Sequence, residues 1–229
     1  MAFMFNDFYS TADSFSLSKR AIMVKGIYSF LKYMIIAFLL GSILLALEHF
    51  HLVNKDYLIP SSIESRYNHI WGYLYPTLFG PFLEEIAFRL GLDFKKKHVV
   101  ISFPIFIYIL LSMITKTSYY TELIYKIPIC AIVAVLLYKM PMRYWNTLKE
   151  KYGKYVIITS VIVFALLHLF HYHFYLPYFL LYGILCFPQF VTGAIITYYR
   201  LNLGFFYGVA FHIIFDSAIF FLNLSLLIR

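Results

Sequence analysis

Charged residues are scarce in this sequence: Asp, Glu, Lys and Arg make up 13% of its 229 residues, against roughly a quarter in soluble domains. So little charge cannot coat the surface of a soluble globule of this size. Cysteine is nearly absent. Cys130 and Cys186 are the only two, and both lie inside apolar runs. That excludes a disulfide framework, and both read as buried apolar filler. No cationic stretch precedes a short apolar core at the start, where residues 1–18 are polar and aromatic. A cleavable signal peptide is therefore not expected, and the first long apolar run would serve as the insertion signal. Internal repeats and low-complexity segments are missing as well. So is the apolar–polar alternation of barrel strands.

What remains is apolar. Hydrophobic residues reach 62% and aromatics 21%, and mean hydropathy is +0.77. A bilayer core about 30 Å thick needs roughly 20 helical residues per span, and only helices or closed barrels satisfy the backbone in lipid. The pattern predicts an all-α, polytopic transmembrane helix bundle of about seven spans. They fall near 31–48, 70–92, 99–115, 121–138, 155–173, 176–199 and 203–225. Residues 1–30 would form a cytoplasmic N-terminal segment and 31–229 a single transmembrane helical domain. Pro177, Gly183, Pro188 and Gly193 mark the sixth span as the one to kink or split.

The net charge of +8 could invite nucleic acid as a partner, but its distribution points elsewhere. Thirteen Lys and Arg residues fall on one side of the predicted spans, among them Lys19, Lys95–Lys97 and Lys139–Lys154. Five, including Lys55, Arg66, Lys116 and Arg229, fall on the other. The positive-inside rule then puts the N-terminus in the cytoplasm. Topology accounts for the basic excess, so the expected partner is the lipid bilayer and nucleic acid is not.

Against this apolar ground, ionisable residues within spans mark function, because each costs roughly 2.5–3.5 kcal/mol at the bilayer centre. The second span carries Glu84, Glu85 and Arg89. Adjacent glutamates on a helix point about 100° apart, so the two have different jobs. Glu85 and Arg89, four apart, can pair along one face, which leaves Glu84 free to act as a base or ligand. The plainer reading is an ion-paired network joining helices. The fifth span carries Phe164 and His168 on one face, and the seventh carries His212 and Asp216 on one face. Counted from the cytoplasmic ends, Glu84, His212 and His168 lie at depths of roughly 12, 14 and 20 Å at 1.5 Å per residue, consistent with one shared cavity. His171 and His173 read as interfacial. Glu48, His49 and His51 read as surface groups, and Glu122 with Lys126 as a local surface ion pair.

In these three segments the sequence resembles the CPBP family (CAAX proteases and bacteriocin-processing enzymes, also called Abi), over about residues 76–225. The family signature is EExxxR, FxxxH and HxxxN or HxxxD on separate membrane helices. Glu84-Glu85…Arg89, Phe164…His168 and His212…Asp216 match it in order. The resemblance implies an intramembrane endopeptidase, acting on a peptide or membrane-anchored protein. Glu84 would be the general base, with His168 and His212 holding the attacking water or a metal that polarises it. Glu85, Arg89 and Phe164 would support them. Two histidines and one glutamate suit Zn²⁺, and a metal-free Glu–His mechanism fits the same residues. Asp216 stands where Asn is commoner. Either it is protonated and donates to the oxyanion, or it orients His212 as an anion. Family prevalence points to a bacterial plasma membrane. Two other classes fit less of the sequence: a catalytically silent immunity or scaffold protein, and an ion-coupled transporter, for which an inverted repeat would be expected.

Overall fold

The computed structural model describes residues 18–54, 74–115, 117, 121–172 and 175–227. The expectations for residues 1–17, Lys55, Arg66, Lys116, His173, Arg229 and the start of the second span lie outside the described residues. Those residues form seven α-helices and no strand: α1 (Lys19–His49), α2 (Gly80–Phe88), α3 (Lys96–Ile114), α4 (Leu123–Lys139), α5 (Met142–Leu167), α6 (Phe179–Asn202) and α7 (Phe205–Leu227). Four helical stretches are long and apolar enough to cross a membrane, Lys19–His49, Lys96–Ile114, Met142–Phe170 and Leu176–Asn202, and Phe205–Phe220 is a shorter apolar helix. The chain is an integral membrane protein.

Several boundaries differ from the sequence reading, each for a physical reason. Helix α1 begins at Lys19, well before the apolar run, because the Ser18 hydroxyl accepts the Ala21 N–H at 3.2 Å and caps it. Helix α5 begins at Met142, so Lys149, Lys151 and Lys154 are helical rather than in a loop. Hydropathy marks where a helix enters lipid, whereas Lys and Arg are good helix formers and extend it into the interface. The sixth span is continuous from Phe179 with Pro188 inside it, and Pro177 lies in the preceding short turn. Glu122 and Lys126 are not a surface pair. Lys126 is fully buried, its ammonium donating to Thr117 at 2.8 Å over the Tyr108 ring, while Glu122 accepts from the Tyr125 hydroxyl.

The second span is not one regular helix. A π-helical turn, Tyr75–Phe79, runs into α2, and Gly80 N–H bonds Tyr75 C=O five residues back. Pro81 has no N–H to give, which favours the wider turn before it. Gly80 permits it, since a Cβ there would lie 3.0 Å from the Tyr75 oxygen. Helix α2 stops at Phe88, Leu90–Asp93 form a 3₁₀ turn, and Phe94 is left-handed at φ 59°.

The chain divides into two compact units, one of Met1–Gly72 with Val161–Gly208 and one of Tyr73–Ser160 with Val209–Arg229. In the first, α6 is the core, with Val191–Tyr199 all buried. It packs on α1, where Tyr199 donates to the Met23 carbonyl at 3.0 Å and its ring fills the space beside Gly26. Buried Cys186 donates to the Ala165 carbonyl, a packing role for the thiol. In the second unit, α2 and α4 pack on α3. Phe88 meets Phe106 edge-on, and Cys130 donates to the Pro104 carbonyl at 3.3 Å.

Candidate active site

The chemistry-bearing residues of the second unit converge on one imidazole. Glu84 and Glu85, on adjacent positions of α2, diverge as helix geometry requires. Glu85 is fully buried, while the Glu84 side chain keeps 27% of its exposure. Glu85 Oε1 accepts from Arg89 Nη1 at 2.8 Å, one turn along the chain. The same oxygen meets His212 Nδ1 on α7 at 3.0 Å. A carboxylate only accepts, so Nδ1 carries the hydrogen and the ring is held with Nε2 turned away from Glu85. Nε2 faces Asp216 Oδ2 at 3.4 Å and Glu84 Oε2 at 3.7 Å. Two carboxylates thus flank one nitrogen, and the contact is attractive only with a hydrogen between them. His212 is 2% exposed, and Asp216, at 30%, sits with Glu84 on the open side of the cluster.

The burial explains why Arg89 stands where it does. A buried carboxylate is costly unless it is paired and hydrogen-bonded, and Arg89, also fully buried, supplies the countercharge within the same helix. Its guanidinium also lies over the Phe88 ring, 5.7 Å from the centroid.

Two residues that the sequence did not single out hold this part of α2. Where the helix breaks after Phe88, the carbonyls of Ala87 and Phe88 lose their helical partners. Ser102 on α3 donates to Ala87 at 2.8 Å and Ser160 on α5 donates to Phe88 at 2.7 Å. A serine in an apolar span was the signal, but nothing local says which carbonyl it meets. Ser160→Ala should lower stability by about 1–3 kcal/mol by leaving a buried carbonyl unpaired, read as a lower unfolding midpoint in detergent. An unchanged midpoint would refute that role.

Phe164 and His168 belong to the first unit. His168 begins the 3₁₀ turn His168–His171 that follows α5, not the middle of a straight helix. Its Nδ1 meets the Phe164 carbonyl at 2.8 Å, and the two rings stand edge to face at 4.7 Å. A carbonyl accepts only, so Nδ1 is again a protonated nitrogen. Among the described residues, no three His, Cys, Asp or Glu side chains are grouped as the ligands of a metal ion would be.

Comparison with known proteins bears on these same residues. The model of the family described as type II CAAX prenyl endopeptidase, Rce1-like, matches residues 66–218, about two thirds of the chain. The chain belongs to the Rce1-like family. No curated protein and no solved structure shows significant similarity to it. The matched segment contains all of Glu84, Glu85, Arg89, Phe164, His168, His212 and Asp216. Membership in the Rce1-like family supports a protease acting on a peptide or protein.

Proposed function

We propose that this protein is an intramembrane endopeptidase in which Glu84 activates a water for attack on a peptide carbonyl. The observation that carries the reading is the His212 imidazole. Its Nδ1–H is held by the buried Glu85–Arg89 pair, and its Nε2 faces Glu84 and Asp216. Glu84 takes a proton from water and the resulting hydroxide bonds to the carbonyl carbon, giving a tetrahedral intermediate. His212, as imidazolium, donates from Nε2 to the oxyanion, in a site where a fixed donor is worth more than in water. The C–N bond then breaks as Glu84 returns its proton to the leaving amine, so the base is regenerated. The substrate is a peptide or a membrane-anchored protein, and the family's name makes prenylated CAAX sequences the first to test. Comparing the peptides of cells carrying wild type and Glu84→Gln tests the whole reading. Identical peptide sets would leave a catalytically silent membrane protein.

Asp216 acts in this scheme as an anion that stabilises the charge of the His212 imidazolium, a role supported by the 3.4 Å approach of Oδ2 to Nε2. Asp216→Asn should then lose activity by orders of magnitude, as when a catalytic histidine loses its carboxylate partner. Cleavage measured from pH 6 to 9 is the check. Activity close to wild type across that range would instead assign Asp216 as an oxyanion donor, since an amide donates without needing a proton.

We also propose a bacterial plasma membrane with the N-terminus in the cytoplasm, an orientation supported by the bias of basic residues. Single cysteines replacing Lys96 and Lys151 should be shielded from an impermeant thiol reagent in intact cells and labelled after lysis. Labelling from outside would reverse the orientation.

A further inference from the structure

The first turns of α5 carry charge without counter-charge. Between Met142 and Lys154 the helix exposes Arg143, Lys149, Lys151 and Lys154, and it buries Trp145 and Gly153. Among the described residues, none of these four cations forms an ion pair with a carboxylate. Glu150 is four residues before Lys154, the favourable spacing on a helix, and still makes no pair with it. The lysine run after α2 joins the same face, because Phe94 packs against Gly153. There the one available acid, Asp93, is shared between His98 at 2.7 Å and Lys95 at 3.6 Å.

Aromatic rings accompany the cations. Tyr144, Tyr152 and Tyr155 are 51, 45 and 68% exposed. Arg143 stands over the Tyr144 ring, Lys151 over Tyr152, and Lys96 over Tyr138 of α4. Exposed tyrosines next to an apolar span sit at the headgroup level of a bilayer, and cations held against rings are kept near that plane. A topology signal requires only that positive charge lie on one side. Here the charges are fixed on a helix that continues directly into a membrane span.

We propose that this basic face of the second unit is a binding surface for the phosphate headgroups of anionic phospholipids. The headgroups supply the countercharge that the protein withholds, and the tyrosines set the depth at which they meet it. The proposal does not depend on the protease reading.

The test uses the full chain with Trp71→Phe, which leaves Trp145, on this very helix, as the remaining tryptophan of the two. The protein is reconstituted with brominated phosphatidylglycerol or brominated phosphatidylcholine, and quenching of Trp145 fluorescence gives their relative affinities. Each Lys or Arg near an anionic surface is worth about a fivefold change in partitioning, so phosphatidylglycerol should win by at least about fivefold. The preference should shrink in 1 M salt, where the screening length is about 3 Å. It should vanish in Lys149→Gln/Lys151→Gln/Lys154→Gln and persist when the same lysines become arginine. Equal quenching by the two lipids overturns the proposal, and so does a preference that salt or the glutamine substitutions leave intact. Should the glutamine variant fail to fold, the salt series on the parent protein decides.

Discussion

Glu84→Gln should lower cleavage by about 10²–10⁴-fold, the usual span for loss of a general base, while leaving the protein at normal abundance in the membrane. The second half of that expectation follows from the structure. Glu84 is on the open side of the cluster, and its contact with His212 is a long 3.7 Å. Glutamine keeps the shape and the hydrogen-bonding capacity of the side chain, so packing around α2 is undisturbed. Only the ability to take a proton is lost. Glu85→Gln makes a useful contrast, because it weakens a buried pair and should reduce abundance too. Cleavage of a reporter peptide, normalised to membrane protein, separates these outcomes. Equal rates for Glu84→Gln and wild type would end the protease reading.

Arg89→Ala should act on the fold first. Glu85 and Arg89 are both fully buried and 2.8 Å apart, and removing one partner of such a pair costs about 3–5 kcal/mol, because the other charge is left uncompensated. That is a large part of the total stability of a typical domain, so abundance should fall along with activity. The loss should also reach His212. Glu85 Oε1 serves Arg89 and His212 together, and a carboxylate without its guanidinium is drawn toward any other proton source, the imidazole above all. Combining Arg89→Met with Glu85→Leu removes both charges and should recover much of the abundance while activity stays lost. Thermal unfolding in detergent and cleavage rates on the same samples provide the check. Full abundance of Arg89→Ala would show that the pair is not needed for the fold.

Local features were legible in the sequence because they depend on periodicity alone. The scarcity of charge and the long apolar runs fixed a helical membrane protein. The adjacency of Glu84 and Glu85 required them to diverge, and the four-residue spacings paired Glu85 with Arg89 and put His212 with Asp216 on one face. These follow from 3.6 residues per turn, wherever the helices go. Other features lay beyond it. Hydropathy reports entry into lipid and not the ends of helices, so the turns at Lys19 and Met142 were missed. The end of α2 at Phe88 frees carbonyls that Ser102 and Ser160 bond from α3 and α5. Lys126, set down from sequence as a surface group, is buried by residues elsewhere in its unit. The deciding contact of the site, Glu85 to His212, joins positions 127 residues apart. Sequence alone determined which ionisable side chains fall within apolar spans, where they are costly. Which nitrogen of His212 is held, and by which glutamate, was decided only by tertiary packing, because the direction of a hydrogen bond between two helices depends on their mutual placement, and no periodicity within either one encodes that.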